Sequence, residues 1–377
     1  MVAGEASGDL LAGLLLTGLR ERWPGMQAMG IGGPRMAQLG FEAWWPHHKL
    51  AVHGFNWDTL RRYPEIVGIR RHLQERLLAA PPDVFVGVDA PDFNLDLEAN
   101  LRSRGIPTVH FVSPSVWAWR AERMEKIRRS TDHVLCIFPF EPELLGQNGI
   151  DATFVGHPLA QIIPLTPDRL AARRALQLPE DAEVVALLPG SRDSEIAHLA
   201  DRFFAAAAHI RQKRGQTLFV VPAAPGFRDR LQALADRTGL GAAVHILEGQ
   251  SHIALAACDV TLIASGTATL EAALFKRPMV ISYHQSQLSW HLMNRKRLQP
   301  WVGLPNILSQ AFVVPELLQD AATPERLAHE TMEWLDASES APERLDALRA
   351  KFIQLHHSLR RDTATIAADV FQKILPN

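Results

Sequence analysis

Short apolar or β-branched runs ending in Gly, Asp, Ser or Pro alternate along the chain with longer stretches of helical period. This is the pattern of parallel strands joined by helices. Met1–Ala3, Gln27–Ile31, Val84–Val88, Thr108–Val112, His133–Ile137 and Thr153–Val155 predict a first set of strands. After a charged helix at Asp168–Leu176, a second set is predicted at Val184–Leu188, Leu218–Val221, Val244–Leu247, Val260–Ile263 and Met279–Ser282. From Pro324 onward the pattern is helical throughout. The expectation is α/β with two doubly wound parallel-sheet domains and a boundary at Gly156-His157-Pro158: residues 1–157, residues 158–340, and C-terminal helices at 341–377. Those helices could fold back over either domain, and packing on the first is expected. An opening strand needs about five residues, yet only Met1, Val2 and Ala3 precede the first turn. That strand is either an abbreviated edge or the visible end of one that starts upstream.

Composition agrees with two full cores. The chain has 377 residues, 47% hydrophobic and 21% charged, which excludes disorder and small stapled scaffolds. Lys plus Arg number 39 against 41 Asp plus Glu, so there is no global basic field for non-specific nucleic-acid binding. Cys136 and Cys258 lie far apart with no CxxC, against a disulfide framework or structural zinc, and a reducing compartment fits. The apolar run Leu10–Leu19 is about half a membrane span and follows Glu5 and Asp9 rather than positive charge. Neither a secretion signal nor a transmembrane helix is expected.

Two such domains raise the question of a dinucleotide, and the residues argue against it. In Gly30-Ile31-Gly32-Gly33-Pro34-Arg35 an arginine stands where the third glycine of G-x-G-x-x-G belongs, and no P-loop occurs. A different anion site is suggested by Pro189-Gly190-Ser191-Arg192 after the strand Val184–Leu188. A small-residue turn, a helix N-terminus and an arginine together suit a diphosphate; alternatively Ser191 caps the helix and Arg192 lies in solvent. A partner turn, Ser265-Gly266-Thr267-Ala268, follows Val260–Ile263, and Glu271 beyond it can reach a ribose diol or remain a first-turn glutamate favoured by the helix dipole. Ligands of open α/β sheets bind beyond the carboxyl ends of the strands, where both turns lie.

In the first half, Val84–Val88 leads into Asp89-Ala90-Pro91-Asp92-Phe93-Asn94. Asp89 ends the strand, while Asp92 is placed to cap a helix beginning at Phe93. Glu5, Ser7 and Asp9 follow the first strand and could line the same mouth, although one of them must cap a helix. Ser113 opens a rigid turn before Trp117 and Trp119, which suit either a sugar or core packing. The segment Phe41–Arg76 clusters Trp44, Trp45, Phe55 and Trp57 with Arg61, Arg62, Arg70 and Arg71. It reads as a surface for anionic lipid headgroups and acyl chains, or as core tryptophans beside a solvated arginine face. His47, His48 and His53 are unevenly spaced for a metal site. No Asp-x-Asp occurs in the chain, so Arg192 and helix termini would have to neutralise a leaving diphosphate, and no metal or other cofactor is expected.

Taken in register, Gly4–Asp9, Asp89–Asn94, Val112–Arg120, Pro139–Glu141, Val155–Pro158, Leu187–Arg192, Ser265–Glu271 and Leu304-Pro305-Asn306 resemble the lipid-A-disaccharide synthase family over essentially the whole chain. The resemblance implies a GT-B fold: two Rossmann-like domains with a cleft between them. It implies transfer of a sugar from UDP-2,3-diacylglucosamine to the 6-hydroxyl of 2,3-diacylglucosamine 1-phosphate with inversion, releasing UDP. Asp89 is then the candidate base, with Glu5, Ser7, Asp92, Asn94 and Ser113 as further catalytic or acceptor-binding candidates. Gly190, Ser191, Arg192, Ser265, Gly266, Thr267, Ala268, Glu271 and Asn306 are the candidate UDP contacts. The implied partners are the two acylated sugars and an anionic membrane surface, at the inner face of a Gram-negative cytoplasmic membrane. A homodimer is a further candidate partner, and no nucleic acid is expected. The other enzymes weighed are a UDP-N-acetylglucosamine 2-epimerase and the transferase that makes the peptidoglycan lipid precursor; a noncatalytic UDP-sugar-binding module is the reading from another class.

Overall fold

In a computed structural model, which describes residues 1–50, 57–117, 123–286, 290, 294–295 and 298–375 without the side chains of residues 6, 48 and 57–62, the chain forms two compact units. The first comprises Met1–Gln161 with Ser358–Asn377, and the second Ile162–His357.

The first unit contains β1 (Val2–Ala3), β2 (Met29–Gly32), β3 (Glu42–Pro46), β4 (Phe85–Val88), β5 (Thr108–Phe111), β6 (His133–Cys136) and β7 (Ala152–Phe154). They form one parallel sheet in the order β3-β2-β1-β4-β5-β6-β7. β1 pairs with both β2 and β4, so the short opening strand lies inside the sheet and not at its edge. Alternation along the strands sends residues to opposite faces. Ala3, Val86, Val88 and Phe111 join a core with Leu15, Leu16 and Phe371, while Val2 and Phe85 join Leu73, Leu97 and Leu101 on the other side. The last helix, Thr363–Ile374, packs against the first, Ala6–Arg22. Their approach needs Gly18, where a Cβ would come within 2.6 Å of Ala364 Cα.

The second unit contains β8 (Val184–Leu188), β9 (Leu218–Ala223), β10 (Val244–Glu248), β11 (Val260–Ala264), β12 (Met279–Tyr283) and β13 (Glu316–Leu318), parallel in the order β10-β9-β8-β11-β12-β13. β8 and β11 are buried along their whole length. The helix Asp193–Lys213 buries Ile196, Leu199, Phe203, Phe204 and Ile210.

Two strands depart from the sequence-based expectation. β13 has only three residues, too few to show a period. β3 is the edge strand Glu42-Ala43-Trp44-Trp45-Pro46, joined to β2 across a register shift at Gly30/Ile31. Trp44 and Trp45 therefore sit in a sheet and pack against the core. Arg76 stacks 3.7 Å from the Trp44 ring centroid, and Trp44 Nε1 donates to Glu42 at 2.9 Å. Phe55 lies outside the described residues. Trp57, Arg61 and Arg62 fall in the helix Trp57–Ala79, and their side chains lie outside what is described. Both cysteines are buried free thiols.

Candidate functional site

Each sheet reverses its winding once. In the first the chain moves outward through β1, β2 and β3 and resumes on the other side at β4; in the second it moves through β8, β9 and β10 and resumes at β11. A crevice opens at the carboxyl ends of strands flanking such a reversal. The polar turns Gly4–Asp9 and Asp89–Asn94 follow β1 and β4, and Gly190–Arg192 and Ser265–Ala268 follow β8 and β11. Topology thus brings the sequence motifs together in pairs, one pair in each unit.

In the second unit the pair opens onto a cavity of about 410 Å³ lined by Gly190, Ser191, Arg192, Ser265, Gly266, Thr267, Ala268 and Glu271. Gly190 has φ +121° and Gly266 φ +145°, backbone that side-chain-bearing residues rarely adopt. A Cβ on Gly190 would also collide with Glu195. The two turns differ in their free donors. Ser191 N donates to Glu195 Oε2 at 2.9 Å, Arg192 N to the same oxygen at 3.3 Å and Arg192 Nη1 to Oε1 at 3.2 Å. Glu195 thus gives the reciprocal half of a capping box, and Arg192, not Ser191, is the N-cap. The turn after β11, by contrast, opens the helix Thr267–Leu274 with Gly266, Thr267 and Ala268 on the cavity wall, and the first N–H groups of a helix have no acceptor one turn back. Of these, Thr269 N donates to Gly266 O at 3.1 Å. The Ser265 hydroxyl donates to Val302 O at 2.8 Å and ties down the chain before Leu304. Glu271, mostly buried, has Ser251 Oγ at 3.5 Å and His252 Nε2 at 3.7 Å. Burial pushes its carboxyl up against the pull of His252 and Ser251.

Sequence reasoning missed the wall made by Pro222, Ala223 and Ala224 at the carboxyl end of β9 and by Gly249, Gln250 and Ser251 after β10. Gly249-Gln250-Ser251 had a usable signal, a small-residue turn between a strand and a helix; Gln250 adopts φ +58° there. Asn306 is placed elsewhere. It is wholly buried, donates to Val314 O at 2.9 Å and Glu316 Oε1 at 2.8 Å, and accepts from Val313 N and Val314 N. Its amide organises the loop ahead of β13.

In the first unit Asp89 follows β4 directly, half-buried, with φ +52°; Ala90 has φ +43° and Val112, after β5, φ +78°. Asp89 N donates to Phe111 O at 2.8 Å. The next helix starts at Pro91 with Ala90 as N-cap, so Asp92 does not cap it. Asp92 is exposed and pairs with Arg123 at 2.6 Å. Asn94 is fully buried. Ser113 is buried too, its hydroxyl 3.3 Å from Pro114 O. Glu5 is the N-cap of the helix Ala6–Arg22 without a side-chain bond, and Ser7 is exposed. Asp9 turns away to accept from Gly33 N, Arg35 N and Met36 N at 2.9 to 3.1 Å. A carboxylate of the protein thus holds the Gly33-Pro34-Arg35 helix start, where a dinucleotide site would leave N–H groups open.

Among solved structures the chain resembles UDP-GlcNAc 2-epimerase from Neisseria meningitidis bound to UDP-GlcNAc, with TM-score 0.60, 11% identity and coverage of 97% of this chain and 96% of the other. It also resembles WaaG, a glycosyltransferase involved in lipopolysaccharide biosynthesis, with TM-score 0.59, 16% identity and coverage of 98% and 95%. At such identities the likeness shows the shared GT-B type of fold, two Rossmann-like parallel-sheet domains, and does not separate epimerase from transferase. Sequence does. The lipid-A-disaccharide synthase of Albidiferax ferrireducens is 65% identical over 375 residues, covering 100% of this chain and 96% of the relative. That of Verminephrobacter eiseniae is 61% identical with the same coverage. A family profile described as lipid-A-disaccharide synthetase matches residues 1–371, and the chain belongs to the lipid-A-disaccharide synthase family of glycosyltransferases.

Proposed function

We propose that the chain transfers the 2,3-diacylglucosaminyl group of UDP-2,3-diacylglucosamine to the 6-hydroxyl of 2,3-diacylglucosamine 1-phosphate by a single inverting displacement. Asp89 accepts the hydroxyl proton as the oxygen attacks the anomeric carbon; the bond to the diphosphate breaks and its electron pair leaves with UDP. The N–H groups at Gly266–Ala268 and the Arg192 guanidinium stabilise the departing diphosphate, and Glu271 accepts from the ribose hydroxyls. The observation that supports this reading most is that two equivalent topological positions carry opposite chemistry, a carboxylate after β4 and a small-residue turn opening a helix N-terminus on the cavity after β11.

Purified chain given the two acylated glucosamines is expected to release UDP in step with a β-1,6 disaccharide, and EDTA should not slow it. Conversion of UDP-N-acetylglucosamine to its 2-epimer, with no transfer, would instead establish the epimerase chemistry of the fold neighbours.

The substrates' acyl chains place the reaction at a membrane, on its cytoplasmic face in this reading. No helix among the described residues is long and apolar enough to cross one, and contact in this reading is peripheral. Because Trp44 and Trp45 pack on the core, the interfacial role passes to the outer face of the helix Trp57–Ala79. There Tyr63 is 63% exposed and Val67 37% exposed, with Arg71 four residues further on. Tyr63→Ser with Val67→Ser should reduce sedimentation with anionic vesicles while leaving UDP affinity intact.

A further inference from the structure

Beneath the Asp89 turn lies a polar layer that the proposed displacement does not itself use. Asn94, Glu98 and His110 are all fully buried. Glu98 Oε1 meets His110 Nδ1 at 2.8 Å, and Asn94 Nδ2 donates to Asp89 O at 2.8 Å. β4 and β5 set Gly87 opposite His110. A side chain at 87 would collide with Glu98 and lie 2.9 Å from Asn94 Cβ, so the missing Cβ makes room for the layer. Such a layer is a poor way to gain stability. Burying ionisable groups costs several kcal/mol unless every polar atom is matched, and apolar residues of the same volume usually do as well. Here Asn94 Oδ1, Glu98 Oε2 and His110 Nε2 each lack a hydrogen-bond partner among the described residues. Directly above it the backbone is strained, with left-handed φ at Asp89, Ala90 and the β-branched Val112. Strain of this kind persists only where the surroundings impose it, and it concentrates at functional sites.

We infer that Asn94, Glu98 and His110 act as a positioning unit for Asp89: Asn94 fixes the strained turn that carries the carboxylate, and the His110 ring, held by Glu98, places positive charge behind it. The inference rests on Asp89 being the base. Burial alone would strip the proton from His110, but the facing carboxylates of Glu98 and then Asp89 outweigh it and raise its pKa. Burial raises Glu98, opposed by His110 and, from the helix Met124–Ser130, by Lys126. Glu98 Oε1 against Nδ1 is the partner that a protonated ring needs, and a positive ring favours the anion on a neighbouring carboxylate.

Glu98→Gln keeps the shape and lets a neutral ring donate from Nδ1, removing the charge. It should lower kcat about 10-fold or more with KM and UDP affinity little changed, and move the acid limb of the kcat pH profile up by roughly half to one unit. His110→Gln reads the same effect should Glu98→Gln fold poorly. Asn94→Ala should lower kcat without moving the limb. A fall in kcat with an unmoved limb in both charge variants makes the layer merely structural and overturns the inference, as does parental behaviour in both. Asp89→Asn run alongside separates the two levels. Near-normal turnover there removes the base assignment and this inference with it, whereas loss of turnover there with unmoved limbs in the others removes this inference alone.

Discussion

The two reversal points share one topology and handle backbone strain in opposite ways. In the second unit the left-handed positions at the turns are Gly190 and Gly266. In the first they are Asp89, Ala90 and Val112. Glycine takes such φ values freely and leaves its N–H accessible, which suits a turn whose work is done by backbone donors. A residue with a Cβ pays about 1–2 kcal/mol for the same conformation, and holding it requires support from below. That cost is reasonable only where a side chain must be presented, and in the proposed reading that side chain is Asp89. On that reading one turn pair receives an anion and the other displays one.

Exchanging the two solutions should break the comparison at its strongest points. Asp89→Asn keeps the strained turn and removes the proton acceptor, so turnover should fall about 100-fold or more while UDP binding, measured by calorimetry, stays near parental. Equal loss of UDP affinity would mean that the residue shapes the fold instead. Gly266→Ala imposes a strained φ with nothing within 4 Å of the new Cβ, so backbone conformation alone is tested. A strain of about 1–3 kcal/mol predicts UDP affinity reduced about 5- to 150-fold. Unchanged affinity would remove the β11 turn from the diphosphate site.

A smaller effect is expected where strain is relieved. Ala90→Gly should raise thermal stability by about 1 kcal/mol, yet turnover should fall a few-fold because the released turn no longer fixes the neighbouring carboxylate. A stabilised variant with undiminished turnover would show that the left-handed pair contributes nothing to Asp89.

Which of these features was legible in the sequence follows from how local each is. Strands buried on both faces, such as Val184–Leu188 and Val260–Ala264, are continuous apolar runs bounded by turn residues, and they were plain. The edge strand Glu42–Pro46 lacks that signal because one side faces solvent and it ends in proline, so its tryptophans read as an interfacial patch. The turns that line the cavity were recognisable from strand, small residues and helix in succession. The partners of individual side chains were not. Asp9 and Asn306 sit in motifs that look like the cavity turns, and only tertiary contacts reveal that one holds a helix start 24 residues away and the other a loop before β13. Likewise Asn94 and Glu98 lie at i, i+4 on one helix face, but their link to His110 crosses to the next strand.

The smallest expected effect concerns Glu195, a carboxylate held by the Gly190–Arg192 turn that is proposed to receive the diphosphate. It accepts from Ser191 N, Arg192 N and Arg192 Nη1, donors of the type a diphosphate would use. A nucleotide binding there must take them over beside a negative charge. Glu195→Ala frees them and removes the charge, so UDP affinity should rise about 3-fold, a modest gain because Arg192 is largely exposed and its contacts are screened. The same change deletes the reciprocal cap of the helix Asp193–Lys213 and should cost about 1 kcal/mol of stability. That loss shows as a Tm lower by about 2–4 °C. Glu195→Gln, which keeps an acceptor without the charge, should fall between the two on both measurements. If UDP affinity drops in Glu195→Ala while Glu195→Gln matches the parent, the carboxylate's place is to shape the Gly190 turn, and the β11 turn becomes the principal seat of the diphosphate.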